Sequence, residues 1–529
     1  MFSPLLVAGG LIALFALSVV FYNLFLHPLR KYPGPWYARA TIFWSQYHSF
    51  KGDLTFHVHA FHQKYGPVVR VAPNELVYTD PQAWKDIYGH RNGVPENEKD
   101  PANNADPDPE HLSIIRADRQ HHSKLRRLLS HAFSEKSMQS QEPIIKSYID
   151  LLIERLRKTA EKGDPQGTDI VRWYNFTTFD IIGHLAFAES FGCLANCEYH
   201  PWIEAMFSAI KYGVMMAALR RVQDNLAGIV VNLIPERIRK QRAEIFSVTD
   251  ELVLRRRETA PAYTDFLTHL VQAEKDGKLE LADVIAQGPT IVVAGSETTA
   301  TLLSGGTFYL LTHPLVYARV VDEIRTHFKD QSEITLASIT GLKYLLAFFD
   351  EALRMYPPAG ANQARVTPPQ GAQICGEWVP GGTFVGIHQY AQFRSPRNFS
   401  EPDVFAPERW METGDPRWEG DRRDALQPFS FGPRNCIGRN LAYVEMRLIL
   451  ATILWNFDME IVPGQDRWSD QKIFAVWEKS PLMLVFDIHD LLVNAGIHNA
   501  AGSIRHLPHF LQQFLTEPFH ALVDKLLQL

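Results

Sequence analysis

Hydrophobic residues recur along most of the chain with the spacing of α-helices. Three stretches with charged residues at helical spacing predict surface helices, at 118–133, 144–160 and 236–257. A more apolar stretch predicts one long helix over 281–312, which ends before Pro314 and is kinked near its start by Pro289. We therefore expect a body built mainly from helices.

Shorter stretches have the character of β-strands. They lie at 68–78 and 373–387, the second with a tight turn at Gly381–Gly382. The polar, proline-rich stretch 95–110 predicts a long surface loop. Because no repeat, low-complexity tract or linker divides residues 28–486, these elements predict a mainly α fold with minor β structure in a single large domain.

The two ends of the chain differ from this body. Phe2–Leu26 contains no charged side chain, and a membrane-spanning helix needs roughly 20 such residues. Arg30 and Lys31 follow at once, which predicts a cytoplasmic location for the rest of the chain. A cleaved signal peptide, the alternative, would need a basic start and a shorter apolar core. Residues 1–27 are therefore expected to form a single transmembrane anchor.

The last stretch, 487–529, carries leucines and phenylalanines at helical spacing. Two interpretations are open for it, an appended and weakly structured extension or an amphipathic helix that binds a partner.

Composition narrows the class of protein. Hydrophobic residues make up 46% of the 529 residues, which allows a large core, and a net charge of −6 gives no reason to expect nucleic acid. The four cysteines are too few and too scattered for a disulfide framework. Cys193 and Cys197 lie four residues apart without a second pair or a histidine cluster, which favours buried thiols over a zinc site.

The loop FSFGPRNCIGRNLA contains the last of the four cysteines, Cys436, in an unusual setting. Gly432 and Gly438 would let the backbone approach a flat, bulky ligand closely. The helix that follows would direct its positive end at a thiolate. Phe429 would shield the sulfur from water, and Arg434 would pair with an anionic group at the ligand's edge. These features describe axial ligation of haem iron by a cysteine.

This loop resembles the haem-binding loop of the cytochromes P-450, the haem-thiolate monooxygenases. It matches their pattern Phe-x-x-Gly-x-Arg-x-Cys-x-Gly at every fixed position. The resemblance covers roughly residues 28–486 and implies the cytochrome P-450 fold, with haem b as cofactor and Cys436 as its axial ligand. The stretches ALRMYPP and PERW look most like those of fungal membrane-bound members from secondary-metabolite pathways.

The stretch AGSETT lies within the predicted apolar helix. An acid and a hydroxyl there are costly unless they are satisfied or used. One interpretation is that Thr298 only bonds back to the preceding turn. The resemblance implies instead that Glu297 and Thr298 are the catalytic acid–alcohol pair that delivers protons to bound dioxygen, and that Gly295 leaves room for oxygen and substrate.

Two further motifs match the family in its order along the chain. Glu351 and Arg354 are three residues apart on one helical face and, read alone, would be an ordinary surface pair. The resemblance implies a structural role, in a buried network with Arg409 that holds the cysteine loop.

The second of these motifs supplies contacts to the haem propionates. The family usually has tryptophan where this chain has His122, four residues before Arg126, and a histidine still donates a hydrogen bond. Arg365 matches the family's other propionate-binding position. A solvated surface charge is the alternative for each arginine.

The resemblance implies a monooxygenase that inserts one oxygen atom from O2 into a C–H bond of a lipophilic small molecule, such as a terpenoid or polyketide. Three apolar segments are expected to face the substrate, 207–219, 290–295 and 357–363, with Asn362 and Gln363 as polar anchors.

The electron source is expected to lie outside the chain. Because no dinucleotide-binding motif is found, we expect a separate NADPH–cytochrome P-450 reductase at the endoplasmic reticulum membrane. Lys124, Arg127 and Arg439 would contact it on the side of the cysteine loop. Two other functions stay open: a haem-thiolate isomerase or dehydratase that does not use O2, and a non-enzymatic haem-binding membrane protein.

Overall fold

A computed structural model of the chain describes residues 4–90, 96–104, 112–259, 263–412 and 414–489. Residues 1–487 group into one compact unit. The expectation for the C-terminal stretch 487–529 falls, from residue 490 onward, outside the described residues.

Helices dominate the unit, which confirms the predicted fold class. In chain order, α1 to α19 are Pro4–Phe21, Trp36–Ala40, Phe43–Lys51, Leu54–Tyr65, Pro101–Asn104, Arg119–Ser130, Glu135–Lys162, Ile170–Phe187, Cys193–Asn196, Pro201–Val222, Asp224–Leu233, Glu236–Glu258, Thr268–Lys275, Leu281–Ile285, Gln287–Thr312, Pro314–His327, Lys343–Met355, Gln389–Phe393 and Arg439–Asn456.

The predicted long apolar helix is interrupted earlier than expected. The break between α14 and α15 falls at Ala286. Pro289 lies in the first turn of α15, where a missing backbone N–H costs no intrahelical hydrogen bond. The kink expected at this proline is therefore replaced by a helix boundary before it. The C-terminal end, Thr312, is where Pro314 predicted it.

The strands β1 to β12 are short. They are Val68–Ala72, Glu75–Tyr78, Glu98–Lys99, Thr168–Asp169, Arg365–Val366, Ala372–Ile374, Glu377–Val379, Phe384–Gly386, Phe457–Ile461, Lys472–Ile473, Trp477–Glu478 and Met483–Ile488. The largest sheet has the order β1-β2-β8-β5-β3. In its antiparallel β3–β5 pair, Lys99 lies opposite Arg365.

The prediction of a continuous surface loop over 95–110 is wrong for its described part. Glu98–Lys99 is paired with β5, and α5 follows directly. Asp100 between them is only 2% exposed. The remainder, from residue 105, lies outside the described residues. The polar composition of this stretch predicts a solvated segment, whereas pairing with the distant strand β5 buries part of it.

Two helices in the described part of the chain are long and apolar enough to cross a membrane. In Val7–Leu26, only 6% of the apolar window is buried within the protein. In Pro201–Val222 the buried share is 33%, and this helix packs against the body and contributes to the wall of an internal cavity. Of these two helices, only Val7–Leu26 therefore has the exposed apolar surface expected of a helix that lies in a membrane.

Candidate functional site

A cavity of about 940 Å³ lies inside the helical unit. The three predicted substrate-facing segments all contribute to its wall. Their lining residues are Ala209, Ile210, Gly213, Val214, Ala217 and Ala218 from the first, Thr290, Ile291, Val293, Ala294 and Gly295 from the second, and Pro358, Ala359, Ala361, Asn362 and Gln363 from the third. Apolar side chains thus form much of the space in which a ligand would lie.

Cys436 lies on this wall, just before α19, and its side chain is accessible from the cavity. Its N–H donates to the Phe429 carbonyl oxygen at 2.9 Å, which fixes the loop. Burial raises the pKa of the thiol, while the Gly438 N–H and the cations Arg126 and Arg439 lower it. A metal ion would displace the remaining proton, because it ligates the thiolate.

The two glycines of the loop have different surroundings. Gly432 has φ +75°, and a Cβ built on it would lie 2.0 Å from the Tyr88 carbonyl oxygen. Its close approach is therefore to the protein's own backbone and not to a ligand. A Cβ on Gly438 would meet only the Phe133 ring, at 3.6 Å, an ordinary contact.

The predicted propionate contacts, His122, Arg126, Arg365 and Arg434, line one part of the cavity. Arg126 donates to the Asn435 carbonyl oxygen at 2.6 Å, and Arg434 donates to Glu96 at 3.0 Å. The Arg365 guanidinium lies 5.0 Å from the centre of the Tyr88 ring. Burial among these cations lowers the pKa of His122 to about 4, so the imidazole is neutral at pH 7.

Two more cations, Lys99 and Arg116, line the same region and were not predicted. Burial, followed by the charges of Arg434 and Arg365, lowers the pKa of Lys99 to about 7. The shift shows that a charged Lys99 ammonium is costly in this buried place beside two guanidinium groups, a cost that Glu96 offsets only in part. An anionic group with two carboxylates would relieve it, and haem carries two propionates.

The acid and hydroxyl of α15 diverge. Thr298 lines the cavity, and its hydroxyl donates to the Ala294 carbonyl oxygen at 2.8 Å. Glu297 does not line it. Its carboxylate is instead ion-paired with Lys479, a residue that was not predicted. The structure therefore brings Thr298 alone of the pair to the cavity.

Gly295 lines the cavity but has a second constraint. A Cβ there would lie 2.3 Å from the Ile182 side chain of α8. The glycine thus allows α15 and α8 to pack closely. This packing constraint on Gly295 was not predicted from the sequence.

Glu445 also lines the cavity and was not predicted from the sequence. It is buried, its Oε1 has no hydrogen-bond partner, and burial raises its pKa to about 8. This carboxyl group is therefore mostly protonated at pH 7.

Glu351, Arg354 and Arg409 form one buried network, with side chains 0% exposed. Glu351 accepts from Arg354 at 2.7 Å and from Arg409 at 3.1 Å. Trp410 and the Ala406 N–H complete the carboxylate's partners, at 2.9 and 2.8 Å. None of the three predicted residues lines the cavity, which suits a structural role.

A second polar group lines the cavity away from these motifs. Arg221, near the end of α10, donates to Asp100 at 2.8 Å and to Glu75 at 2.6 Å. Asn362 donates to the other oxygen of Glu75 at 3.1 Å. Four distant segments thus meet in one charged cluster, which no local motif signalled.

These features have the character of a haem-thiolate protein, and comparison identifies the class. Residues 31–486 match the family model described as Cytochrome P450, and the chain belongs to that family. It is accordingly an oxidoreductase of the P450 monooxygenase class, with a cysteine-ligated haem, that uses O2, a redox partner and small-molecule substrates.

Individual relatives are similar over almost their whole length. The cytochrome P450 monooxygenase astA of Talaromyces wortmannii is 43% identical over 479 residues, 89% of this chain and 96% of that protein. Averantin hydroxylase of Dothistroma septosporum is 43% identical over 495 residues, 90% of each chain. The cytochrome P450 monooxygenase aclL of Aspergillus oryzae is 42% identical over 487 residues, 90% of this chain and 97% of that protein.

Proposed function

We propose that this protein inserts one oxygen atom from O2 into a C–H bond of a lipophilic small molecule of fungal secondary metabolism, of the terpenoid or polyketide class. The observation that carries the proposal is the apolar cavity with an accessible cysteine, Cys436, on its wall. The averantin hydroxylase among the relatives supports a hydroxylation.

The cofactor in this proposal is haem b, with Cys436 as the axial ligand. The thiolate-ligated iron supplies the activation of O2. Arg126, Arg365, Arg434 and His122 hold the carboxylates, and Lys99 joins them. The buried position of Lys99 beside Arg434 and Arg365 supports that assignment, because buried cations require anionic partners.

Proton supply is assigned to Thr298 and Glu297. Thr298 Oγ1 already faces the cavity and is positioned by its bond to Ala294. Glu297 lies behind it, and its Oε2 has no hydrogen-bond partner among the described residues, so that oxygen is free to accept a hydrogen bond from a water molecule. Glu351, Arg354 and Arg409 position the cysteine loop and touch no substrate.

Residues 1–27 are proposed as a single-pass anchor in the endoplasmic reticulum membrane, with the catalytic domain, 28–486, in the cytoplasm. The exposed apolar helix supports this, as does the Arg30–Lys31 pair after it. Residues 487–529 are proposed to be a C-terminal extension outside the catalytic domain.

The redox partner is proposed to be an NADPH–cytochrome P-450 reductase. Lys124, Arg127 and Arg439 are exposed near the cysteine loop and would contact its acidic face. Charge reversal at all three should slow reductase-driven haem reduction, and an unchanged rate would reject this docking surface.

The first experiment is the carbon-monoxide difference spectrum of the reduced protein, beside Cys436→Ala. The red-shifted Soret band of thiolate-ligated haem is expected in the wild type and should be lost in the variant. Haem binding without that band would contradict the ligand assignment. Oxygen consumption that matches product formation would then separate a monooxygenase from an isomerase, a dehydratase or a haem-binding protein.

A further inference from the structure

Two histidines and one aspartate meet at the turn between α3 and α4, among residues that have no part in the proposed reaction. His48 Nδ1 lies 2.6 Å from Asp53 Oδ1, and His57 Nε2 lies 3.9 Å from Asp53 Oδ2. One donor atom from each of the three side chains falls within 4.8 Å of the others. The cluster thus joins the end of one helix to the beginning of the next.

Asp53 has an unusual role at this turn. It occupies the N-cap position of α4, yet its carboxylate makes no capping hydrogen bond. Its oxygens face His48, His57 and Lys51, whose Nζ lies 3.1 Å away. Asp53 thus presents its carboxylate to these side chains and not to the backbone of α4.

The two histidines lie side by side. Their ring centres are 4.1 Å apart, and the ring planes are inclined at 60°. Trp44 packs against both, at 4.5 and 5.6 Å, and restricts their rotation.

The backbone of the turn is fixed from the protein side. Gly52 ends α3 with φ +73°, and a Cβ there would lie 2.8 Å from the Phe474 ring. The Ile473 N–H donates to the Gly52 carbonyl oxygen at 2.8 Å. The ligands are therefore carried by a turn that is held in place before any ion binds.

We propose that His48, Asp53 and His57 bind a divalent transition-metal ion of the zinc type. Two imidazole nitrogens and one carboxylate oxygen are a donor set that such ions favour, with a fourth position for water. Bonds of roughly 2.0–2.2 Å in tetrahedral geometry place ligand atoms roughly 3.4 Å apart. The observed separations of 2.6 and 3.9 Å lie on either side of that value.

Lys51 makes the proposal specific. Its ammonium is ion-paired with the carboxylate that the ion would bind. The Lys51 side chain is half exposed, so the ammonium is free to move away. Removal of this charge should raise the affinity for zinc, whereas removal of either histidine should lower it. Opposite effects from adjacent residues are not expected of non-specific binding.

The test is zinc binding to the haem-loaded full chain, measured by competition with a fluorescent zinc indicator. His48→Ala and His57→Ala should each weaken binding at least tenfold, and Lys51→Met should strengthen it severalfold. His269→Ala is the matched control. The ring of His269 lies 4.8 Å from that of His131, and the structure describes no carboxylate that bridges these two rings. An unchanged carbon-monoxide spectrum shows that each variant is folded.

Equal zinc affinity in the wild type and both histidine variants would overturn the site. So would a loss in His269→Ala as large as that in His48→Ala. These results do not depend on catalysis and leave the proposed monooxygenase function unaffected.

Discussion

The carboxylate of Glu297 is ion-paired with the ammonium of Lys479 behind the cavity-lining face of α15. The side chains are only 3% and 5% exposed. Lys479 also donates to the Thr301 hydroxyl at 2.7 Å. The pair gives each buried group a partner of opposite charge and directs the Glu297 carboxylate away from the cavity.

Loss of Lys479 should destabilise the fold. Lys479→Met leaves the Glu297 charge buried and unpaired, so we expect the free energy of unfolding to fall by about 3–5 kcal/mol. Adding Glu297→Gln should recover much of this loss. Lys211→Met is the control, because its pair with Glu478 is 40% and 44% exposed and should contribute about 0–1 kcal/mol. Denaturant unfolding measures all four proteins, and equal losses in the two single variants would contradict the buried pair.

Thr298→Ala should leave haem bound but divert reducing equivalents to peroxide, because the cavity loses the hydroxyl to which proton supply is assigned. The measured quantity is peroxide formed per NADPH consumed, expected to rise severalfold. Ser304→Ala is the control, since Ser304 is buried on the same helix and bonds back to Ala300 at 2.7 Å without lining the cavity. Unchanged coupling in Thr298→Ala would count against the assigned role.

Lys99→Met should have opposite effects on the haem-free fold and on haem retention. Below pH 7, Lys99 is charged both folded and unfolded, and the folded state bears the whole cost of burying that charge. The variant should therefore be stabilised by about 2–4 kcal/mol there. The gain should shrink as pH rises from 7 toward 10, because folded wild type loses the proton first.

The measurement for Lys99→Met is unfolding of the haem-free protein at several pH values, beside the rate of haem loss. Haem should leave the variant faster, since one cation of the carboxylate site is missing. A gain in stability that does not vary with pH would show that charge burial is not its cause.

Arg221→Met should open the charged cluster at the cavity wall. Glu75 and Asp100, with side chains 9% and 1% exposed, would lose their shared cation. We expect a lower melting temperature and a severalfold faster release of an azole inhibitor, followed through the Soret shift. Arg255→Met, which breaks an exposed pair with Glu189, should change neither. An unchanged release rate in Arg221→Met would show that the cluster does not restrain the cavity.

The sequence by itself determined the class of fold and the cysteine loop. The pattern around Cys436 lies within a few consecutive residues, so its resemblance to the haem-binding loop of the cytochromes P-450 can be recognised without the tertiary structure. The C-terminal end of α15 and the mainly helical body follow from local periodicity and from proline positions in the same way.

Only the tertiary structure decided which charges meet. Lys479 and Glu297 are 182 residues apart, and Arg221 and Glu75 are 146 apart. Such pairs form because packing brings separate helices and strands together and buries their polar ends, which then require partners. Gly432 is a case within the motif itself, since the residue that demands a glycine there is Tyr88, far away in the chain.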